Sequence, residues 1–255
     1  MTAYAKVGGI WKPSVAKPWV RVGGVWKQPN KGYVKVAGVW QKFLGGAVVT
    51  YIGRLTSVTS ASSHTFNGAA IGPAAADRLV VMVVTARSGS SGRLINGATM
   101  NATAAVAVCK TNVSPAISIA AGIFSLPITT GTTANLVTNY NGNMSNVAVD
   151  VYNINEMSSS TATAAPTAIS SASVSSLTVN PDIPSDGVII GGSISGSGGA
   201  SAYTWTGANE DADSLVDSAE RSVASQSALA AQSGRPITAA QAAASAQVLV
   251  AAVWQ

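Results

Sequence analysis

Short runs of branched and aromatic residues, broken every few positions by Gly, Pro, Asn or Asp, fill the chain from residue 47 onward. Ala47–Arg54 (AVVTYIGR), Arg78–Ala86 (RLVVMVVTA), Ile117–Leu126, Val147–Ile154, Val188–Ile194 and Gln247–Trp254 are brief and β-branched, which predicts strands. Ala105–Cys109, Ala134–Tyr140, Leu177–Asn180, Ser201–Thr206 and Ser222–Ala228 continue the series with fewer branched residues. Asn96-Gly97, Thr130-Gly131, Asn141-Gly142 and Asp186-Gly187 predict turns between them. Strands at such short spacing predict an all-β domain over residues 45–255, a jelly-roll-like β-sandwich. Ser218–Ala231 and Thr238–Ala246 are rich in Ala, Gln and Ser and favour helix on propensity alone. The second lacks apolar periodicity and runs into the branched stretch ending at Trp254, so strands with at most one short helix are expected. The charge-free Ser158–Ser176 stretch reads either as a linker or as an extended edge strand or long loop.

A different pattern occupies residues 1–44. Tyr4–Lys12 reads YAKVGGIWK, Trp19–Lys27 reads WVRVGGVWK and Tyr33–Gln41 reads YVKVAGVWQ. A phrase repeated at near-constant spacing marks one supersecondary unit used several times. Gly8-Gly9 and Gly23-Gly24 suit the positive φ of a two-residue hairpin turn, whereas Ala37-Gly38 needs another turn type. The region therefore predicts three short tandem β-hairpins, with Lys6, Arg21 and Lys35 facing opposite to their Val and aromatic neighbours. Hairpins this short have no core and are marginal alone, so they must lie on something.

Charge sharpens that requirement. Residues 1–44 hold eight Lys or Arg, no acid, and four of the six tryptophans. Trp and Arg are favoured interface anchors, so docking on other proteins through Trp11, Trp19, Trp26, Trp40, Lys6, Arg21 and Lys35 ranks first. Packing on the chain's own domain ranks second. Nucleic-acid binding through phosphate contacts and stacking ranks last, because a charge tail does not need so strict a hairpin phrase. Charged residues are only 10% of the whole chain, which suits a subunit that lives in an assembly and favours a homo-oligomer.

The repeated phrase resembles the YVKVGGVWK-type repeats of tailed-bacteriophage structural proteins, particularly fibre and minor tail proteins. The resemblance covers about residues 4–42, with Ala37 and Gln41 departing from the pattern. It implies a non-enzymatic virion part, made in the host bacterial cytoplasm: a docking arm followed by a sandwich displayed outward, with a trimer the expected oligomer of a fibre. Alternatives are a capsid decoration or head-fibre protein, or a receptor-recognition module for host cell-surface glycans.

Candidate chemistry is sparse. His64 is the single histidine and Cys109 the single cysteine, which excludes a His-rich metal site, a thiolate cluster and an intrachain disulfide. The AVAVCK setting favours a buried structural thiol over a nucleophile. No nucleophile elbow, Walker loop or dinucleotide fingerprint is present. Gly191-Gly192 and Gly196–Gly199 resemble a phosphate cradle only in composition and read as Ser/Gly turns. The acids Glu210, Asp211, Asp213 and Asp217 read as a solvated loop in preference to a Ca²⁺ or glycosidase site, so no metal or other cofactor is expected. If the sandwich binds a ligand, Tyr203 and Trp205 with Asp211 and Asp213 are the candidate recognition face. No apolar run approaches the length of a membrane span, so no membrane insertion is expected.

Overall fold

The computed structural model describes residues 46–114, 116–196 and 202–255, together with the backbone of six short strands ahead of residue 45. Those six are β1 (Ala3–Val7), β2 (Ile10–Ser14), β3 (Val20–Val22), β4 (Val25–Lys27), β5 (Gly32–Val36) and β6 (Val39–Leu44). They pair antiparallel as β1-β2, β3-β4 and β5-β6, with Val7 opposite Ile10, Val22 opposite Val25 and Val36 opposite Val39. The turn pairs between those partners, and the side chains of Trp11, Trp19, Trp26, Trp40, Lys6, Arg21 and Lys35, lie outside the described residues. Residues 1–45 and 46–255 are two separate compact units.

The larger unit is all-β. In chain order its strands are β7 (Val48–Ser57), β8 (Ala61–Ala70), β9 (Leu79–Ser88), β10 (Ile95–Met100) and β11 (Thr103–Ala104). Next come β12 (Val106–Val113), β13 (Ser118–Pro127), β14 (Thr133–Met144), β15 (Asn146–Asn155) and β16 (Thr167–Val179). The last five are β17 (Gly187–Ser195), β18 (Tyr203–Thr206), β19 (Asn209–Val216), β20 (Ala219–Leu229) and β21 (Ile237–Trp254). Among the described residues there is no helix, so both Ala/Gln-rich stretches are strand, in β20 and β21. The low-complexity stretch supplies β16, an edge strand, which settles the choice between linker and edge in favour of the edge.

Three antiparallel sheets stack as a sandwich with an added layer. The middle sheet has the order β12-β13-β9-β15-β7, one outer sheet β11-β10-β14-β8, and the other β16-β21-β17-β20-β19 with β18 on β21. Alternate residues of β9, β13 and β15 serve two cores. Val80, Met82, Phe124 and Val149 pack with Met100, Leu136 and Met144 of the four-stranded sheet. Val81, Val83, Ile123 and Ile154 pack with Ile190, Val223, Val250 and Trp254 of the six-stranded sheet. A third cluster places Tyr203, Ile237 and Ala239 with Ile189, Leu249 and Val253 on the far side of the six-stranded sheet. Burial on both faces is why LVVMVV reads as a continuous apolar run and not as the alternation of a one-sided antiparallel strand.

Gly191 and Gly192, expected in a turn, sit mid-strand in β17. A Cβ on Gly192 would lie 2.3 Å from Val83 Cγ1, and one on Gly191 would lie 3.0 Å from Trp205 Cζ3. The two glycines let the middle sheet and an indole ring lie directly on the β17 backbone. Gly142 does the same inside β14, where Arg93 covers it with Nη1 2.3 Å from a would-be Cβ. Asn141-Gly142 and Asn96-Gly97 are therefore strand interior and not turns.

Candidate functional site

The acidic run is strand β19, not a loop. A bulge between Glu210 and Ala212 sends its acids to opposite faces. Asp211 turns toward the middle sheet, where the Tyr152 hydroxyl donates to its Oδ2 at 2.9 Å. Asp213 turns outward and accepts the Tyr203 backbone N–H at 2.6 Å. Tyr203 is only 2% exposed, its ring part of the outer cluster. The half-buried Trp205 donates from Nε1 to Ser222 Oγ at 2.8 Å, and Ser222 Oγ donates to the Ala212 carbonyl at 3.1 Å. The candidate recognition residues thus come from adjacent strands. Their rings pack on their own sheet, and Asp211 and Asp213 are engaged by internal donors.

Behind β19 lies a polar layer between the middle and six-stranded sheets that sequence reading missed. Arg54 of β7 donates from Nε to Asp150 Oδ1 of β15 at 2.8 Å, an ion pair with Asp150 fully buried. The Tyr51 hydroxyl donates to the same oxygen at 3.0 Å, and the rings of Tyr51 and Tyr152 meet at 5.1 Å. Arg54 also donates from Nη1 to Ser214 Oγ and to the Arg221 carbonyl, the latter at 3.4 Å, and from Nη2 to the Ala212 carbonyl at 3.5 Å, binding β7 to β19 and β20. The fully buried Arg221 donates to Asn146 Oδ1, and Asn146 donates in turn to the Val216 and Asp217 carbonyls. Burial and the nearby Arg54 charge pull the Arg221 guanidinium down to about 9, whereas burial and Asp150 push the Tyr51 hydroxyl well up. One signal could have found this layer: a charge inside an apolar run, as in VAVDVYNI (147–154) and AERSVA (219–224).

Arg78 forms a second polar centre, without a carboxylate. It is fully buried and directs all five N–H donors at backbone carbonyls. Nε reaches Ile128 at 2.6 Å, Nη1 reaches Gly72 and Pro73 at 2.7 and 2.8 Å, and Nη2 reaches Thr130 and Gly131 at 2.8 and 2.9 Å. One planar group thereby staples the β8–β9 connection to the β13–β14 connection.

The remaining reactive side chains are held structurally. His64 Nε2 lies 3.1 Å from the Ala61 carbonyl and 3.2 Å from that of Met144, so it carries the proton, and Nδ1 accepts from Ser57 Oγ at 2.9 Å. The Cys109 thiol donates to the Ala251 carbonyl at 3.6 Å, and burial pushes it up to about 12. Among the described residues, no three His, Cys, Asp or Glu side chains converge to hold a metal ion. A groove of about 390 Å³ runs between Val106–Val108 of β12 and residues 160–165 and is lined by no titratable side chain. Among the described residues no helix is long and apolar enough to cross a membrane.

No protein-family model and no curated protein matches the chain. Among solved structures, the crystal structure of PBSX exported protein XepA aligns over 89% of this chain and 95% of its own, at 9% identity and a TM-score of 0.20. A likeness that slight carries no argument about fold or function.

Proposed function

We propose that this protein is a non-enzymatic structural component of a bacteriophage virion, a tail fibre or minor tail protein that acts as a homo-oligomer, with a trimer the expected form. In this reading the basic hairpin region docks on other virion proteins and the three-layered β unit is displayed outward. The observation that carries it is the threefold phrase YAKVGGIWK, WVRVGGVWK and YVKVAGVWQ, set in a segment with eight bases and no acid. In the larger unit, Arg54, Asp150, Asp211 and Arg221 hold strands together through polar bonds between the sheets.

The test is assembly. Particles are produced with the full chain or with Trp11, Trp26 and Trp40 each changed to Ala, and incorporation is quantified by immunoblot of purified virions. Each Trp→Ala change should weaken attachment by about 2 kcal/mol or more if the ring is an interfacial anchor. Undiminished incorporation of the triple variant would refute docking through the repeats. Association that depends more on Lys6, Arg21 and Lys35 than on the tryptophans, and that DNA competes away, would point to nucleic acid instead.

A further inference from the structure

The outer face of the six-stranded sheet contains a carboxyl pair that no cation among the described residues neutralises by direct contact. Glu220 of β20 is 4% exposed, and its carboxyl group lies close enough to that of Asp213 of β19 for one to hydrogen-bond the other. Leu215 stands opposite Glu220 and Asp213 opposite Ser222, so the two acids are diagonal neighbours on one face. Asp213 Oδ2 already accepts the Tyr203 N–H, while its buried Oδ1 meets no N–H or ordinary O–H donor among the described residues. Two carboxyl groups bond to each other only when one carries a proton, so a protonated Glu220 is the donor that Oδ1 lacks.

We propose that Glu220 and Asp213 share a proton that latches the short strand β18 onto β19 and β20, and that rising pH releases the latch. β18 is four residues long and hydrogen-bonds in ladder fashion to β21 alone. Toward β19 and β20 it is tied by the Tyr203 N–H to Asp213 and by Trp205 Nε1 to Ser222. Loss of the Glu220 proton sets two carboxylates against each other, and turning Asp213 away breaks the Tyr203 tie.

The charged and titratable groups around the pair set the range. Asp213 and the desolvation of Glu220 favour the protonated form, while Arg221 on the same strand and Arg54 of β7 oppose it; the balance pushes Glu220 up to about 7. Glu210 on β19 feels the Asp213 and Asp211 charges and adds further negative charge to that strand, and the Tyr203 hydroxyl stays neutral throughout. The sign follows from proton linkage. The folded chain holds this proton more tightly than an unfolded Glu at 4.5, so the latch contributes fully below that value. It weakens as pH climbs toward 7 and is lost above it.

NMR titration of the full chain tests this. The ¹³C carboxyl signal of Glu220 should titrate near 7, and the Tyr203 amide shift should follow with the same midpoint. In Glu220→Gln, which donates at every pH, the Tyr203 amide should stay fixed between about pH 5.5 and 8.5. Asp213→Asn supplies a second variant, in which the Glu220 midpoint should fall by roughly one unit or more once the facing charge is gone. A Glu220 midpoint in the ordinary glutamate range, or a Tyr203 amide that ignores the Glu220 titration, overturns the latch.

Discussion

Replacing Arg78 by Met keeps a similar length of chain but removes five N–H donors from the Ile128, Gly72, Pro73, Thr130 and Gly131 carbonyls. Each bond is worth about 1 kcal/mol net, and more where the donor is charged. Against a total of roughly 5 kcal/mol stands the relief of no longer burying a guanidinium, so about 3–5 kcal/mol of lost stability is expected. Arg78→Lys retains the charge but offers three donors in tetrahedral array, leaving at least two carbonyls without that partner and costing about 2 kcal/mol. Urea unfolding of the three proteins, followed by circular dichroism with the slope held as a check on two-state behaviour, measures both. A Met variant within about 1 kcal/mol of the parent, or a Lys variant as stable as Arg78, would refute the stapling role.

Three further outcomes are expected. Gly192→Ala should cost about 1–3 kcal/mol by driving a methyl into Val83, whereas the same change at the open Gly89 should be nearly neutral; thermal melts compare them. Asp150→Ala should destabilise by about 3–5 kcal/mol because it strands the Arg54 guanidinium, and the loss should shrink when Arg54 is also replaced, as a double-mutant cycle in urea would show. Cys109 should resist a thiol reagent at about pH 8 in the folded protein and react on unfolding, since burial holds its proton; rapid labelling of the native state would contradict this.

The strands covered on both faces are the most legible, although β7 shows as well and β12 and β14 show through fewer branched residues. LVVMVV in β9 and the Val/Ile runs of β13, β15 and β17 show in the sequence because two cores demand apolar residues at consecutive positions. β10 (INGATM) and β19 (NEDADSLV) read as turn and loop, and β8 (ASSHTFNGAA) gives no strand signal, since Ser, Asn, Asp and Gly disfavour strands in isolation. Pairing overrode propensity there: β8 and β10 flank β14, and β19 is anchored through Tyr152 and Arg54. The candidate face was legible in composition but not in orientation. Nothing in the spacing of Asp211 and Asp213 reveals the bulge that sends them to opposite sides of the sheet, or the burial of Tyr203.

The position of β21 has a kinetic consequence. It is the last strand in chain order, yet it lies inside the six-stranded sheet and pairs with β16, β17 and β18. During synthesis, the strands of the other two sheets are complete once residue 155 has emerged. The part of β12 and β13 that packs on β21 then stays wet until residues 237–254 arrive. A nascent chain thus carries β16 and β18 without their partner, an open edge on β17 and an open apolar face together, the combination that invites a neighbouring chain to supply the missing strand. Closing the sheet requires joining segments that lie 58 residues apart at Val179 with Ile237 and 83 apart at Thr167 with Val250, so its refolding belongs to the slow regime set by loop closure and not by local structure.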